Sequence, residues 1–286
     1  MEAFTASDGG MIAYRDEGPR DPSARPLVLL HGLMAHGGFF REQAPLAEHF
    51  RLITVDLRGH GESGVAEANV ERAATDVAEL VEALDLHDSI GIGWSLGATI
   101  LWHVLAGPAA ARFAGAVVVD MTARVRNSAD WDLGLTPEAC EARSAAIRDD
   151  YRAFATNAGQ AIFAQPVAQA RRATADWASA EFARNDPAAM AELWASLEQQ
   201  DLRPLLSQIR HPTLIVHGGQ SQLYGSDTAD HLVAALPNAR AVRFASSGHA
   251  PHLEEPALFN DSVTEFAASL PPVTSTKTDF RNRRIG

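Results

Sequence analysis

Short, unbroken apolar runs separated by longer amphipathic stretches are the feature that most limits how this chain can fold. The runs are 26–31 (PLVLLH), 52–56 (LITVD), 89–93 (SIGIG), 116–120 (AVVVD) and 213–217 (TLIVH). Each has the length of a strand, and apolar residues at successive positions imply burial on both faces of a sheet. Between the second and third runs, 70–84 repeats apolar residues at helical spacing, with Val77, Leu80, Val81 and Leu84 on one face. This alternation predicts β–α units around a mainly parallel sheet flanked by helices, an α/β class of fold. Segments 12–14 and 242–244 read as weaker strands beside that sheet.

The rhythm breaks between about 124 and 203. Here the chain is rich in alanine, carries Trp131, Phe154, Phe163, Trp177, Phe182 and Trp194, and shows no strand pattern. Pro137, Pro166 and Pro187 punctuate helices. The strand–helix pattern resumes at Pro212, so the segment reads as a helical insertion following the sixth strand. The expected organisation is a core over 1–123 and 206–270, a helical cap over 124–205, and an exposed, disordered tail over 271–286.

Charge and composition narrow the function. Lys and Arg number 24 against 36 Asp and Glu, a net charge of −12, which disfavours the phosphate contacts that nucleic-acid binding requires. The single cysteine, Cys140, excludes an internal disulfide and a cysteine-built metal site, and it fits a reducing, cytoplasmic compartment. No stretch approaches the roughly 20 apolar residues needed to span a bilayer. The start of the chain has no basic region leading into an apolar run, so no signal peptide is read there.

The sharpest local signal is Gly93-Trp94-Ser95-Leu96-Gly97. At ordinary residue frequencies G-x-S-x-G arises by chance in roughly one chain in ten of this length, so its setting decides its meaning. It lies between a predicted strand (SIGIG) and a predicted helix (ATILWHVLA). A serine on such a sharp turn projects its hydroxyl, and the following helix aims its first amides at a developing anion. A serine hydroxyl needs a base to become nucleophilic. Among the 11 histidines, His249 in Ser247-Gly248-His249-Ala250-Pro251 follows a strand and precedes a Pro-started helix, at the sheet end where α/β sites assemble. His252 is its nearest rival. A glycine-bearing loop, 31–38 (HGLMAHGG), offers the amide of Leu33, which with that of Leu96 forms an expected oxyanion hole.

Four segments together, HGLMAHGG at 31–38, VDLRGHGES at 55–63, GWSLGA at 93–98 and SGHAPHLEEP at 247–256, resemble the α/β-hydrolase superfamily, in its cap-bearing esterase, perhydrolase and C–C hydrolase branch. The resemblance runs from about residue 4 to 270. It implies an α/β-hydrolase fold, Ser95 as nucleophile, His249 as general base, and Leu33 and Leu96 as oxyanion-hole donors. It makes RGHGES a structural loop, and places His36 and Trp94 against the substrate. It implies no cofactor and no metal.

The triad acid departs from the family pattern. Most relatives carry it after the strand that follows the cap, where this chain reads His217-Gly218-Gly219-Gln220-Ser221, with Ser221 near the expected position. Asp227 comes next, and Asp120, ending AVVVD, offers an earlier route that some members use. Both keep the order nucleophile, acid, base. We favour Asp120, with Asp227 as the alternative. The expected activity is hydrolysis of a small carboxylic ester, thioester or lactone through an acyl-enzyme. C–C bond hydrolysis, perhydrolysis and a non-enzymatic ligand receptor are the rivals.

Overall fold

The structure is a computed structural model that describes residues 1–64 and 67–273. Eight strands form one sheet in the order β1-β2-β4-β3-β5-β6-β7-β8: β1 Glu2–Thr5, β2 Met11–Glu17, β3 Pro26–Leu30, β4 Arg51–Val55, β5 Ser89–Trp94, β6 Phe113–Val119, β7 Thr213–Gly218 and β8 Ala239–Phe244. From β4 through β8 neighbours run parallel, and β1 and β2 add an antiparallel edge. The predicted apolar runs occupy β3 through β7, and β3, β5 and β7 are buried at every position. Continuous burial explains why these strands read as unbroken apolar segments. The first strand was not expected from sequence: EAFT is short, largely exposed and held only by pairing with β2.

Helices cover both faces. The predicted amphipathic stretch is α1 (Val70–Ala83), capped by Asn69, whose side chain accepts from the Arg72 amide. The helix after the G-x-S-x-G turn is α2 (Leu96–Ala106), apolar along nearly its whole surface because it is sandwiched between the sheet and other helices.

Between β6 and β7 the chain leaves the sheet and forms α3 (Pro137–Asp149), α4 (Tyr151–Ala161), α5 (Arg172–Phe182) and α6 (Pro187–Glu198), then the short α7 (Arg203–Leu206). Pro137 and Pro187 each open a helix, following side-chain caps from Thr136 and Asp186. Within this layer α3 packs on α6 and α4 on α5. After β7 come α8 (Ser226–Ala235), then β8, α9 (Pro251–Glu254) and α10 (Pro256–Ser269). Most of the predicted tail, 274–286, lies outside the described residues. Among the described residues no helix is long and apolar enough to cross a membrane.

Candidate active site

Ser95 sits between β5 and α2 with φ 54° and ψ −119°, a left-handed backbone that a non-glycine residue adopts only when its surroundings enforce it. Those surroundings are close. A Cβ on Gly97 would lie 2.1 Å from the Leu30 carbonyl oxygen, so the turn is pressed onto the end of β3. The Ser95 amide donates to the Val119 carbonyl at 3.0 Å, tying the same turn to the end of β6. The hydroxyl-bearing residue is thereby fixed between two strand ends.

His249 lies on the loop between β8 and α9. Its Nδ1 is 2.7 Å from Asp120 Oδ2, and its backbone carbonyl accepts the Trp94 indole N–H at 2.7 Å. Asp120 follows β6 directly and has φ 45°, a second left-handed residue at a strand end. Four donors converge on its buried carboxylate. Oδ2 accepts from His249 Nδ1 and, at 2.6 Å, from the Ser221 hydroxyl; Oδ1 accepts from His217 Nδ1 and the Gly218 amide, each at 3.1 Å. Burial works to raise its pKa, but the bonds from His217, His249 and Ser221 outweigh that and hold the carboxyl at about 2. An ionised carboxylate only accepts, so the His249 proton sits on Nδ1 and Nε2 is left basic.

Ser95 and His249 line one cavity of about 70 Å3. Gly32, Leu33 and Trp94 complete its floor, and Arg143, Ala158, Ala161, Ile162 and Phe182 roof it from the helices between β6 and β7. The 31–38 loop is braced by two buried histidines. His31 Nε2 accepts from the Leu57 amide at 2.9 Å, and His60 Nε2 accepts from the Met34 amide at 3.1 Å. Burial depresses both, His31 to about 3 and His60 well below its ordinary value, so both are neutral and able to accept. The Ala35 amide is taken by the Gly32 carbonyl. Among the described residues the amides of Leu33 and Leu96 carry no protein acceptor, the former beside Ser95 and the latter at the first turn of α2.

Other predicted residues fall elsewhere. Asp227 is exposed in the first turn of α8; among the described residues only the Ser226 hydroxyl bonds its carboxylate, at 3.3 Å, and it is not brought to His249. The expectation that His36 lines the substrate cavity needs correction. Its Nδ1 accepts from the Gly38 amide at 3.1 Å and its Nε2 lies 3.3 Å from Glu181, in a separate groove shared with Asp56 and Arg184. Trp94 does line the cavity while anchoring the His249 backbone. His252 is a core residue: both ring nitrogens are buried without a partner among the described residues, and burial pushes it down to about 3. The RGHGES loop is structural, since Asp56 accepts from the Gly37 and Glu62 amides at 2.7 and 2.9 Å and so joins two loops.

Sequence reasoning gave no role to His217 or Ser221. The signal for His217 was strand register: β6 pairs with β7 as Val119 with Val216, which sets Asp120 beside His217. Ser221 stands near the position where the family pattern puts an acid, and its hydroxyl donates to the Asp120 carboxylate that follows β6.

Comparison with known proteins places the chain in a family. A family model described as alpha/beta hydrolase fold matches residues 25–256. A pimeloyl-acyl-carrier protein methyl ester esterase from Xanthomonas oryzae pv. oryzae is 32% identical over 252 residues, covering 86% of this chain and 96% of that one. An esterase from Exiguobacterium antarcticum superposes with a TM-score of 0.86 at 24% identity, covering 93% and 99% of the two chains. An enol-lactonase from Burkholderia xenovorans gives 0.84 at 23%, covering 93% and 100%. At these identities the two structures establish the fold, while the family model and the esterase relative establish descent. The chain belongs to the α/β-hydrolase family.

Proposed function

We propose that the protein hydrolyses a small carboxylic ester by a serine acyl-enzyme route, with Ser95, His249 and Asp120 as the triad. The observation that carries this reading is the 2.7 Å contact from His249 Nδ1 to a four-donor carboxylate, with Ser95 in the same cavity. His249 Nε2 takes the Ser95 proton as the oxygen attacks the ester carbonyl carbon. The carbonyl oxygen becomes an oxyanion within reach of the Leu33 and Leu96 amides, at the positive end of α2. Collapse breaks the bond to the alcohol oxygen, which leaves with the proton returned by His249. Water then gives its proton to Nε2 and attacks the acyl-Ser95, and the acid departs as Ser95 regains its proton. Asp120 stays ionised throughout, orienting the imidazole and stabilising its charged form.

In this reading residues 124–205 act as the cap that shapes the acyl pocket, and 1–123 with 206–270 form the catalytic core. The relatives' substrate, a methyl ester on an acyl chain, supports short alcohols as leaving groups. The buried, unpaired Cys140 supports a cytoplasmic setting. The test is turnover of p-nitrophenyl esters from acetyl to decanoyl by wild type, Ser95→Ala and Asp227→Asn. The reading predicts wild-type turnover on short chains and a loss of roughly 10³–10⁶ in Ser95→Ala. It predicts little change in Asp227→Asn. Comparable rates in wild type and Ser95→Ala would overturn it.

A further inference from the structure

Arg143, on α3, is a half-buried cation in the roof of the Ser95 cavity. Its guanidinium carbon lies 5.0 Å from the Trp194 ring centroid and 5.8 Å from that of Phe154, so aromatic rings hold the group in place. Two other arginines of the same helical layer show what an acidic partner looks like here: Arg126 meets Glu141 at 2.7 Å and Glu198 at 3.4 Å, and Arg203 meets Asp201 at 2.6 Å. Arg143 has none within 4.0 Å and no hydrogen-bond acceptor among the described residues. Burial lowers its pKa, and the nearby Tyr224 and Cys140 only partly oppose this.

The position of that cation gives it a use. Arg143, Ala158 and Ala161 line both the catalytic cavity and a wider groove of about 460 Å3 between α3 and α4. Arg143 therefore stands on the boundary that the catalytic cavity and the groove share. Asp149 and Asp150 line the outer groove and repel an anion placed there, which leaves Arg143 as the favourable point for one. A desolvated guanidinium with its fork of donors unspent is matched by a carboxylate, which accepts two of its N–H groups.

We propose that Arg143 is a specificity residue that selects substrates carrying a carboxylate at the end of the chain remote from the scissile ester. The proposal rests on the reading of the Ser95–His249 cavity as the ester site, and its test is a binding measurement that needs no turnover. In the Ser95→Ala protein, affinities are measured by calorimetry for monomethyl esters of dicarboxylic acids from succinate to sebacate, each against its neutral dimethyl ester. A second arm uses acetyl esters of ω-hydroxy acids against their methyl esters, which separates an acid on the acyl side from one on the alcohol side. At least one chain length in one arm binds roughly 10- to 100-fold tighter as the acid. Adding Arg143→Met removes that ratio, and Arg143→Lys keeps part of it. Melting curves confirm that each variant is folded. Acid and neutral ester binding alike at every length in both arms would overturn the proposal. So would a ratio that survives Arg143→Met, or a loss that falls equally on acid and neutral ligands.

Discussion

Replacing Asp120 by Asn changes one oxygen into an NH2 group at the most heavily coordinated side chain of the site. The carboxylate receives two donors on each oxygen: His249 and Ser221 on one, His217 and the Gly218 amide on the other. An amide has one acceptor oxygen, so whichever way it turns, its NH2 faces two former donors. The two imidazoles and the Ser221 hydroxyl can switch to accepting from that NH2, but the Gly218 amide cannot, and leaving it unpaired in this buried setting costs about 1–3 kcal/mol. That is a large share of the roughly 5–15 kcal/mol that holds a typical protein folded. Catalysis suffers separately. If the NH2 faces His249, the imidazole accepts at Nδ1 and carries its proton on Nε2, the atom that must take the Ser95 proton. A wrong tautomer of this kind lowers kcat by about 10⁴. Urea unfolding and p-nitrophenyl acetate hydrolysis read the two effects independently. Asp120→Asn within tenfold of wild type in kcat would refute the reasoning, as would Asp227→Asn showing the larger loss.

Gly97→Ala places a methyl group 2.1 Å from the Leu30 carbonyl oxygen; it costs about 3 kcal/mol, and melting falls by roughly 6–12 °C. An unchanged melting temperature would contradict the close approach. Ser221→Ala removes the 2.6 Å bond to Asp120 Oδ2 but leaves the His249 bond, so stability falls by about 1.5–3 kcal/mol while kcat drops less than about tenfold. Chemical unfolding together with initial rates checks both halves. Glu254 accepts from the Ala164 and Gly248 amides at 2.8 and 2.7 Å, and burial raises its pKa to about 7. A carboxyl raised above its unfolded value contributes stability that is present below pH 4.5 and lost as pH rises through 7. Melting curves from pH 4.5 to 8 therefore decline less steeply in Glu254→Gln than in wild type, and equal slopes would exclude this assignment.

The sheet was legible because β3, β5 and β7 are buried along their whole length and so carry apolar residues without interruption. The turn at Ser95 was legible for a related reason: its glycines are demanded by backbone contacts only a few residues away in the fold. The edge strand β1 was not, since its stability comes from pairing with β2 and not from any apolar pattern of its own. The acid stayed open between Asp120 and Asp227 because both satisfy chain order. What separates them is a strand register and the direction of a loop, neither of which a linear pattern carries. His36 shows the opposite failure: it lies in the motif loop, yet that loop turns its ring outward to Gly38 and Glu181. Arg143 was invisible for a further reason. Its significance is a missing partner in space, and a sequence rich in Asp and Glu gives no sign that none of them among the described residues reaches it.

With Ser95 as nucleophile, the ester's acyl group passes through a covalent bond to its oxygen. The direct test is mass spectrometry of wild-type protein acid-quenched within milliseconds of mixing with p-nitrophenyl butyrate, with His249 kept because it is the base for acylation as well as deacylation. The expected result is a single added butyryl mass, localised by peptide sequencing to the Gly93–Gly97 segment at Ser95 and absent in Ser95→Ala. An adduct on another residue would contradict it, as would full esterase turnover in Ser95→Ala.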